Sequence, residues 1–279
     1  MIAGSSIRIL EKPLCFYYWE NITWVDERFT MDTIVICAAL PVEIRALCRR
    51  WGIPVPTPEN RVSSIVDPLG NIIYKIIVSG MGLKRMETLL KNLSPEPITQ
   101  WISVGFAGSL VPELRVGDCL WGTLVAEPSG KITSTYAGDG VEEKDKNPIL
   151  FCSNRVIGVR EEKQQVHSST GATVVDLESA AVAAHARSRN EPFVWIRVIS
   201  DDLEDTIPDA FLRCVDQEGF PSVSAAMVQL LFHPTILPAM IRLARRTVLL
   251  SRCLADAVTQ FSSSFYQTTT NPQTPDDSV

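Results

Sequence analysis

The sequence predicts an α/β domain with a mixed, mostly parallel central sheet flanked by helices, followed by a C-terminal helical extension. Short runs rich in Val and Ile alternate with stretches of helical character. Glycines and small polar residues stand where those runs end, as at Ser79–Gly82 and Gly105–Leu110. Strands alternating with helices favour parallel neighbours joined by crossovers.

Thr33–Ala39 (TIVICAA) is apolar and β-branched, which predicts a buried strand. Pro41 suits a first helical turn, and the helix runs to about Trp51. Ile72–Ser79 reads as a strand running into Ser-Gly-Met-Gly (79–82), with a helix over Leu83–Leu93. Trp101–Val104 reads as a short strand that stops at Gly-Phe-Ala-Gly-Ser-Leu (105–110). Gly117 and Asp118 lead into one strand over Cys119–Ala126. Residues 127–148, rich in Gly, Ser, Lys and Asp, read as a surface loop. Ile149–Cys152 then reads as a strand, Glu161–Ser169 and Leu177–Arg189 as helices, and Phe193–Ile199 as a strand ending in Ser-Asp-Asp.

The chain of 279 residues is 46% hydrophobic and 21% charged, an ordinary globular composition with enough apolar content for a sizeable core. Its formal net charge of −6 argues against nucleic acid as a partner. The 7 cysteines are scattered without a C-x-x-C pair, and the 3 histidines share no ligand spacing. Neither a disulfide framework, nor a metal, nor a cofactor is expected, and a reducing cytoplasm fits best. The first residues lack the pattern of a signal peptide. Residues 1–30 are read as an N-terminal appendage, with Met31 as the candidate natural start, and 31–220 as a single domain. Residues 221–261 are read as an amphipathic helical extension and 262–279 as a disordered tail.

The stretch Ala172–Asp202 carries the densest hint of chemistry. It sets Asp176 and Glu178 at the mouth of a small-residue helix, and Ser200 and Asp201 at the end of an apolar run. In α/β sheets ligands gather at the carboxyl ends of strands. Spacing alone fits a helix-terminus charge and a solvated loop equally well. Glu43, in a first helical turn, is likewise a common dipole-favoured carboxylate. The glycine exits permit close backbone approach to a ligand. They match neither the dinucleotide fingerprint nor the P-loop.

Six segments taken in order resemble the nucleoside phosphorylase/nucleosidase superfamily, which includes methylthioadenosine/S-adenosylhomocysteine nucleosidases. They are Ala-Ala-Leu-Pro-Val-Glu (38–43), Ser-Gly-Met-Gly (79–82), Gly-Phe-Ala-Gly-Ser-Leu (105–110), Arg-Val-Gly-Asp (115–118), Val-Asp-Leu-Glu-Ser-Ala (175–180) and Arg-Val-Ile-Ser-Asp (197–201). The resemblance covers roughly 33–205 and implies a three-layer phosphorylase/hydrolase-like fold that cleaves purine N-glycosidic bonds.

The resemblance also implies roles. Asp201 is the acid that protonates the purine, Glu43 the base that activates water, and Glu178 the carboxylate that holds the ribose hydroxyls. Asp176 stands where nucleosidases usually carry Glu, and Leu177 replaces a frequent Met against the sugar. Phe106 replaces a small residue in the pocket wall formed with Ala107, Gly108 and Ser200. Backbone at Val156 and Ile157 corresponds to the purine-recognising segment, without the aromatic residue common there. Phosphorolysis calls for arginines on phosphate; the corresponding places hold Glu43 and Ser103. That favours hydrolysis, although Arg45 leaves a displaced phosphate site open.

A helical wheel from about Thr235 to Val258 puts Arg242, Arg245, Arg246 and Arg252 on one side, and Met240, Leu243, Ala244, Val248, Leu250 and Leu254 on the other. Such a helix suits either an anionic membrane surface or packing on the core or a second subunit. Pro234 and Pro238 argue against a straight membrane span. The ending LLFHPTILPAMIRLARR (230–246) and the spelling VDLESAAVA (175–183) are similar to hopanoid-associated nucleoside phosphorylases. That similarity implies adenosylhopane as substrate, with 223–258 flanking a lipid tail and making peripheral membrane contact, and a homo-oligomer. The alternatives are a soluble methylthioadenosine/S-adenosylhomocysteine nucleosidase, a purine nucleoside phosphorylase, and a sensing module that has lost catalysis.

Overall fold

The computed structural model describes residues 31–67, 72–93, 95–134, 148–207, 213–222, 225–226, 228–229 and 237–270. The expected N-terminal appendage, residues 135–147 of the expected surface loop and the last tail residues lie outside this set, as do 223, 224, 227 and 230–236 of the extension.

Strand β1 (Asp32–Ala38) pairs in parallel with β3 (Ile72–Val78) on one side and with β4 (Gln100–Ser109) on the other. Strand β10 (Phe193–Asp201) lies parallel to β4. Strand β2 (Val62–Val66) closes one edge antiparallel to β3. At its far end β4 swings away to pair with β9 (Val174–Asp176). From there β8 (Ile149–Cys152), β6 (Leu124–Ala126) and β7 (Ile132–Ser134) continue the sheet. Strand β5 (Cys119–Gly122) runs antiparallel to β10. The sheet is therefore mixed and mostly parallel, flanked by helices, as the sequence predicts.

Alternation along the strands sorts the core into two layers. Ile34, Ile36 and Ala38 of β1 face one layer with Ile44 and Leu47 of α1 (Pro41–Trp51). Val35 and Cys37 face the other, with Met86 and Leu90 of α2 (Leu83–Lys91) and Ala180–Ala183 of α4 (Ser179–Ser188). The small residues of α4 let it lie close on β10 and β4, which carry the bulky Trp195 and Trp101. Helix α3 (Arg160–Thr170) follows β8.

Several boundaries differ from the sequence expectation. Strand β4 does not stop at Val104 but runs through Gly105 and Gly108 to Ser109. These glycines serve close approach by side chains of other elements and do not make a turn. The expected single strand Cys119–Ala126 is two, because β5 pairs with β10 and β6 with β7 and β8. Strand β9 occupies residues expected to precede the helix directly, so α4 begins at Ser179 and not at Leu177. Strands β2 and β7 mix Ser and Thr with apolar residues over short spans, and composition conceals them.

Helix α5 (Leu237–Thr270) is longer than expected and continues through 262–270, part of the stretch expected to be disordered. Its core-facing residues are Leu250, Leu254, Ala255 and Val258, packed against α1 and the sheet. Ala244 and Val248, expected on the same face as Leu250 and Leu254, are exposed, as are Arg245 and Arg252. The side chains of Met240, Arg242 and Leu243 lie outside the described set. Among the described residues, no helix is long and apolar enough to cross a membrane.

Candidate active site

The carboxyl ends of β1, β4, β9 and β10 meet around a cavity of about 200 Å³. Glu43, Phe106, Ala107, Gly108, Val156 and Ile157 line it, together with Asp176, Leu177, Glu178, Ser200 and Asp201. Every residue expected from the sequence to be catalytic or substrate-binding thus borders one space. Arg45 is exposed on α1 and is absent from this wall, and Ser103 is buried behind it. Met81, Leu40, Val175 and Ile207 add apolar lining that the sequence reading missed.

Glu43 occupies the third position of α1, where its carboxylate bends back over the helix start. Oε2 accepts the N–H groups of Ala39 at 3.0 Å and Leu40 at 2.8 Å, capping donors that the helix cannot satisfy itself. Oε1 accepts the N–H of Phe106 at 3.0 Å, tying α1 to β4. A Cβ on Gly105 would come within 2.7 Å of Oε1, so the carboxylate needs a glycine there. Burial pushes the Glu43 carboxyl above the usual carboxylate range, against the pull of those backbone donors.

Glu178 precedes α4, and its Oε1 accepts the N–H of Gly82 at 2.6 Å. Gly82 has φ of 109°, a conformation that β-carbons oppose. Burial, followed by the charges of Asp176 and Glu43, pushes the Glu178 carboxyl up to about 8.

Asp176 faces inward. Its Oδ2 accepts from Arg197 Nη2 at 2.5 Å, from Ser179 Oγ at 2.6 Å and from the Ser179 N–H at 3.1 Å. The same guanidinium donates to the Ser103 carbonyl at 2.7 Å, and to the hydroxyls of Ser103 at 2.8 Å and Ser179 at 2.7 Å. Arg197 belongs to one of the quoted motifs but received no role. Its signal was a lone charge within an apolar strand run.

Asp201 ends β10. Its Oδ1 accepts from Ser200 Oγ at 2.7 Å and its Oδ2 from Lys163 Nζ at 2.7 Å. A Cβ on Gly108 would lie 2.8 Å from Oδ2, so the second strand glycine makes room for the second carboxylate. Lys163 had no sequence signal, since α3 carries Val166 as its one apolar residue and lacks an apolar stripe. Among the described residues, no His, Cys, Asp and Glu group has the arrangement of a metal site.

The arrangement presents carboxylates from three directions to one partly apolar space. That suits proton transfer and stabilisation of positive charge on a bound molecule. No protein-family profile and no curated protein sequence matches the chain. Solved structures do share its fold. A 5'-methylthioadenosine/S-adenosylhomocysteine nucleosidase (MTAN) of Helicobacter pylori, with 5'-methylthioadenosine in its active site, is 16% identical at a TM-score of 0.59, covering 84% of this chain and 100% of its own. The futalosine hydrolase of the same organism is 15% identical at 0.60, covering 84% and 98%. An MTAN of Chlamydia trachomatis is 18% identical at 0.56, covering 84% and 100%. At these identities the likeness establishes the fold.

Proposed function

We propose that the protein hydrolyses the N-glycosidic bond of a purine nucleoside. The observation that carries this reading is a cavity lined by Glu43, Asp176, Glu178 and Asp201, with no lysine or arginine in its wall among the described residues. A wall without a cationic side chain offers phosphate no charged donor, which suits water as nucleophile. The fold shared with two kinds of nucleosidase supports the same reading.

In this mechanism the bond between the anomeric carbon and the purine breaks with its electron pair moving onto the base. Asp201 supplies a proton to the base nitrogen. Water attacks the anomeric carbon and passes a proton to Glu43, whose buried, up-shifted carboxylate suits a base working near neutral pH. Glu178 accepts a hydrogen bond from the ribose hydroxyls, and the positive charge growing on the sugar favours its ionised form, which in turn offsets that charge. Backbone at Val156 and Ile157 would face the base.

The substrate we favour carries an apolar 5′ tail, with adenosylhopane the compound implied by the sequence resemblance. Leu40, Met81 and Phe106 add apolar lining to the cavity that suits such a tail. Exposed Leu237, Ile241, Val248 and Leu249 on α5 suit the lipid contact of the 223–258 segment. A homo-oligomer belongs to the same proposal.

The test is base release, followed by chromatography, from adenosylhopane, methylthioadenosine, adenosine and inosine, each with and without phosphate. The expected result is adenine release independent of phosphate and fastest from adenosylhopane. Strict phosphate dependence would overturn hydrolysis, and no release from any substrate would overturn the enzymatic reading. A preference for methylthioadenosine would remove the lipid tail from the proposal.

A further inference from the structure

Lys163, the one lysine of α3, has a wholly buried side chain, at 0% exposure. Burying an ammonium costs several kcal/mol unless its hydrogens and its charge are both answered. Here both are. Nζ donates to Asp201 Oδ2 at 2.7 Å, to the Asp202 carbonyl at 2.6 Å and to the Asp205 carbonyl at 3.3 Å. Its three hydrogens are thereby all used, and its charge is aimed at a carboxylate that borders the cavity.

The surrounding contacts make this a frame for Asp201. Ser200 Oγ holds Oδ1, so the two carboxylate oxygens are fixed by different donors. Arg246 of α5 grips the same turn from the other side, donating to Asp205 Oδ2 at 2.9 Å and to the Ser200 carbonyl at 3.3 Å. Helices α3 and α5 thus hold Ser200–Asp205 between two cations, and only Lys163 reaches the reactive carboxyl.

We propose that Lys163 is a positioning residue for proton delivery to the departing base, acting through Asp201; this rests on the nucleosidase reading above. As the glycosidic bond breaks, its electron pair goes to the base. Asp201, ion-paired with Lys163 in the resting protein, takes up a solvent proton as substrate binds. Its O–H bond then breaks, an N–H bond forms on the base, and the carboxylate facing Lys163 is restored. The Lys163 ammonium already stands against the oxygen where that charge appears, so its contribution needs no rearrangement. Lys163 itself neither touches substrate nor gives up a proton in this scheme.

A leaving group that needs no proton separates this role from a merely structural one. The experiment compares kcat/KM for adenosine and for para-nitrophenyl β-D-ribofuranoside, in the wild type, Lys163→Met, Lys163→Arg and Asp201→Asn. For Lys163→Met we expect a loss of about 100-fold on adenosine and of only a few-fold on the nitrophenyl riboside. Asp201→Asn should show the same split. Adding Lys163→Met to Asp201→Asn should cost little more on adenosine, because the lysine works through the aspartate. Lys163→Arg keeps the charge, so it should fold where Lys163→Met fails and show the same split with a smaller loss. Equal losses on both substrates in these variants would overturn the proposal while leaving the nucleosidase reading intact. A wild-type protein that cleaves neither compound, nor any other purine nucleoside, would overturn that reading itself.

Discussion

Arg197 and Asp176 meet Nη2 to Oδ2 at 2.5 Å, with side chains 2% and 1% exposed, directly behind the candidate active site. The pair changes how the acidic cluster divides its work. Asp176 was singled out as a ligand-binding residue, yet its Oδ2 is taken up by Arg197 and Ser179. Arg197 joins β10 to the Ser103 carbonyl of β4 and to the start of α4, where Glu178 projects. The pair therefore ties β9 and β10 to β4 and to the start of α4, the elements that surround Asp201 and Glu178.

Breaking this pair should be costly. Arg197→Met leaves a buried carboxylate unpaired, and a loss of about 3–5 kcal/mol in unfolding free energy is expected. Combining it with Asp176→Leu should recover part of that loss, because no charge then remains to be solvated. Denaturant titration of the single and double variants checks both.

Gly105→Ala should displace Glu43 without removing it. The new Cβ would meet Oε1 at 2.7 Å, closer than real contacts allow. We expect a destabilisation of about 1–3 kcal/mol from overpacking. The fall in kcat should be on the order of 100-fold, since the carboxylate moves off its position. Gly108→Ala should do the same to Asp201, whose Oδ2 is 2.8 Å from the built Cβ. Thermal melts and steady-state kinetics on the same samples separate the two effects.

Glu43→Gln keeps the shape and one acceptor oxygen but cannot take a proton from water. It also sets an amide NH2 against backbone donors that now face a carboxylate oxygen, so a thermal melt on the same sample checks that it is folded. Its kcat should fall by about 100-fold or more, with KM changed far less. Near-normal turnover would remove Glu43 from the role of base.

Stability should decline as pH rises through the neutral range. The Glu178 carboxyl sits at about 8 in the folded protein, against about 4.3 in an unfolded chain. Between those values the folded state holds a proton that the unfolded state has released, so the stabilisation present at low pH is lost as pH passes the folded value. Glu43 shifts in the same direction. A plot of Tm against pH should fall for the wild type and fall less steeply for Glu178→Gln. Parallel curves would contradict the assignment.

Helix α5 belongs to the core over its middle turns. Leu254 is 1% exposed, and Leu254→Ala should cost about 2–5 kcal/mol. Val248→Ala, at an exposed position, should change stability by less than about 0.5 kcal/mol. Equal effects in chemical denaturation would refute the observed orientation of the helix.

The outline of the fold was legible in the sequence where the signal is local. The runs at Thr33–Ala39, Ile72–Ser79 and Phe193–Ile199 are apolar because both their faces are covered, and they appear as strands within a residue or two. Edge strand β2 and the three-residue β9 were not legible, since one is half polar and the other too short for a period. Glu43, Glu178 and Asp201 stood out at element boundaries, positions fixed by nearby sequence, but spacing left them ambiguous and the family resemblance made them site candidates. The motif Gly-Phe-Ala-Gly was found for the wrong local reason: its glycines lie inside β4 and clear space for two carboxylates.

By itself, then, the sequence determined the succession of strands and helices and the placing of carboxylates at their ends. Both follow from interactions within a few residues along the chain. Only the tertiary structure decided which charges those carboxylates meet. Asp176 and Arg197 are 21 positions apart, Lys163 and Asp201 are 38, and Ser251 of α5 reaches the Glu43 carbonyl across 208. No periodicity encodes such pairs, because each partner satisfies its own local rules whether or not the other is near. Packing the layers brings them within hydrogen-bond distance, and the removal of water there makes each pairing matter.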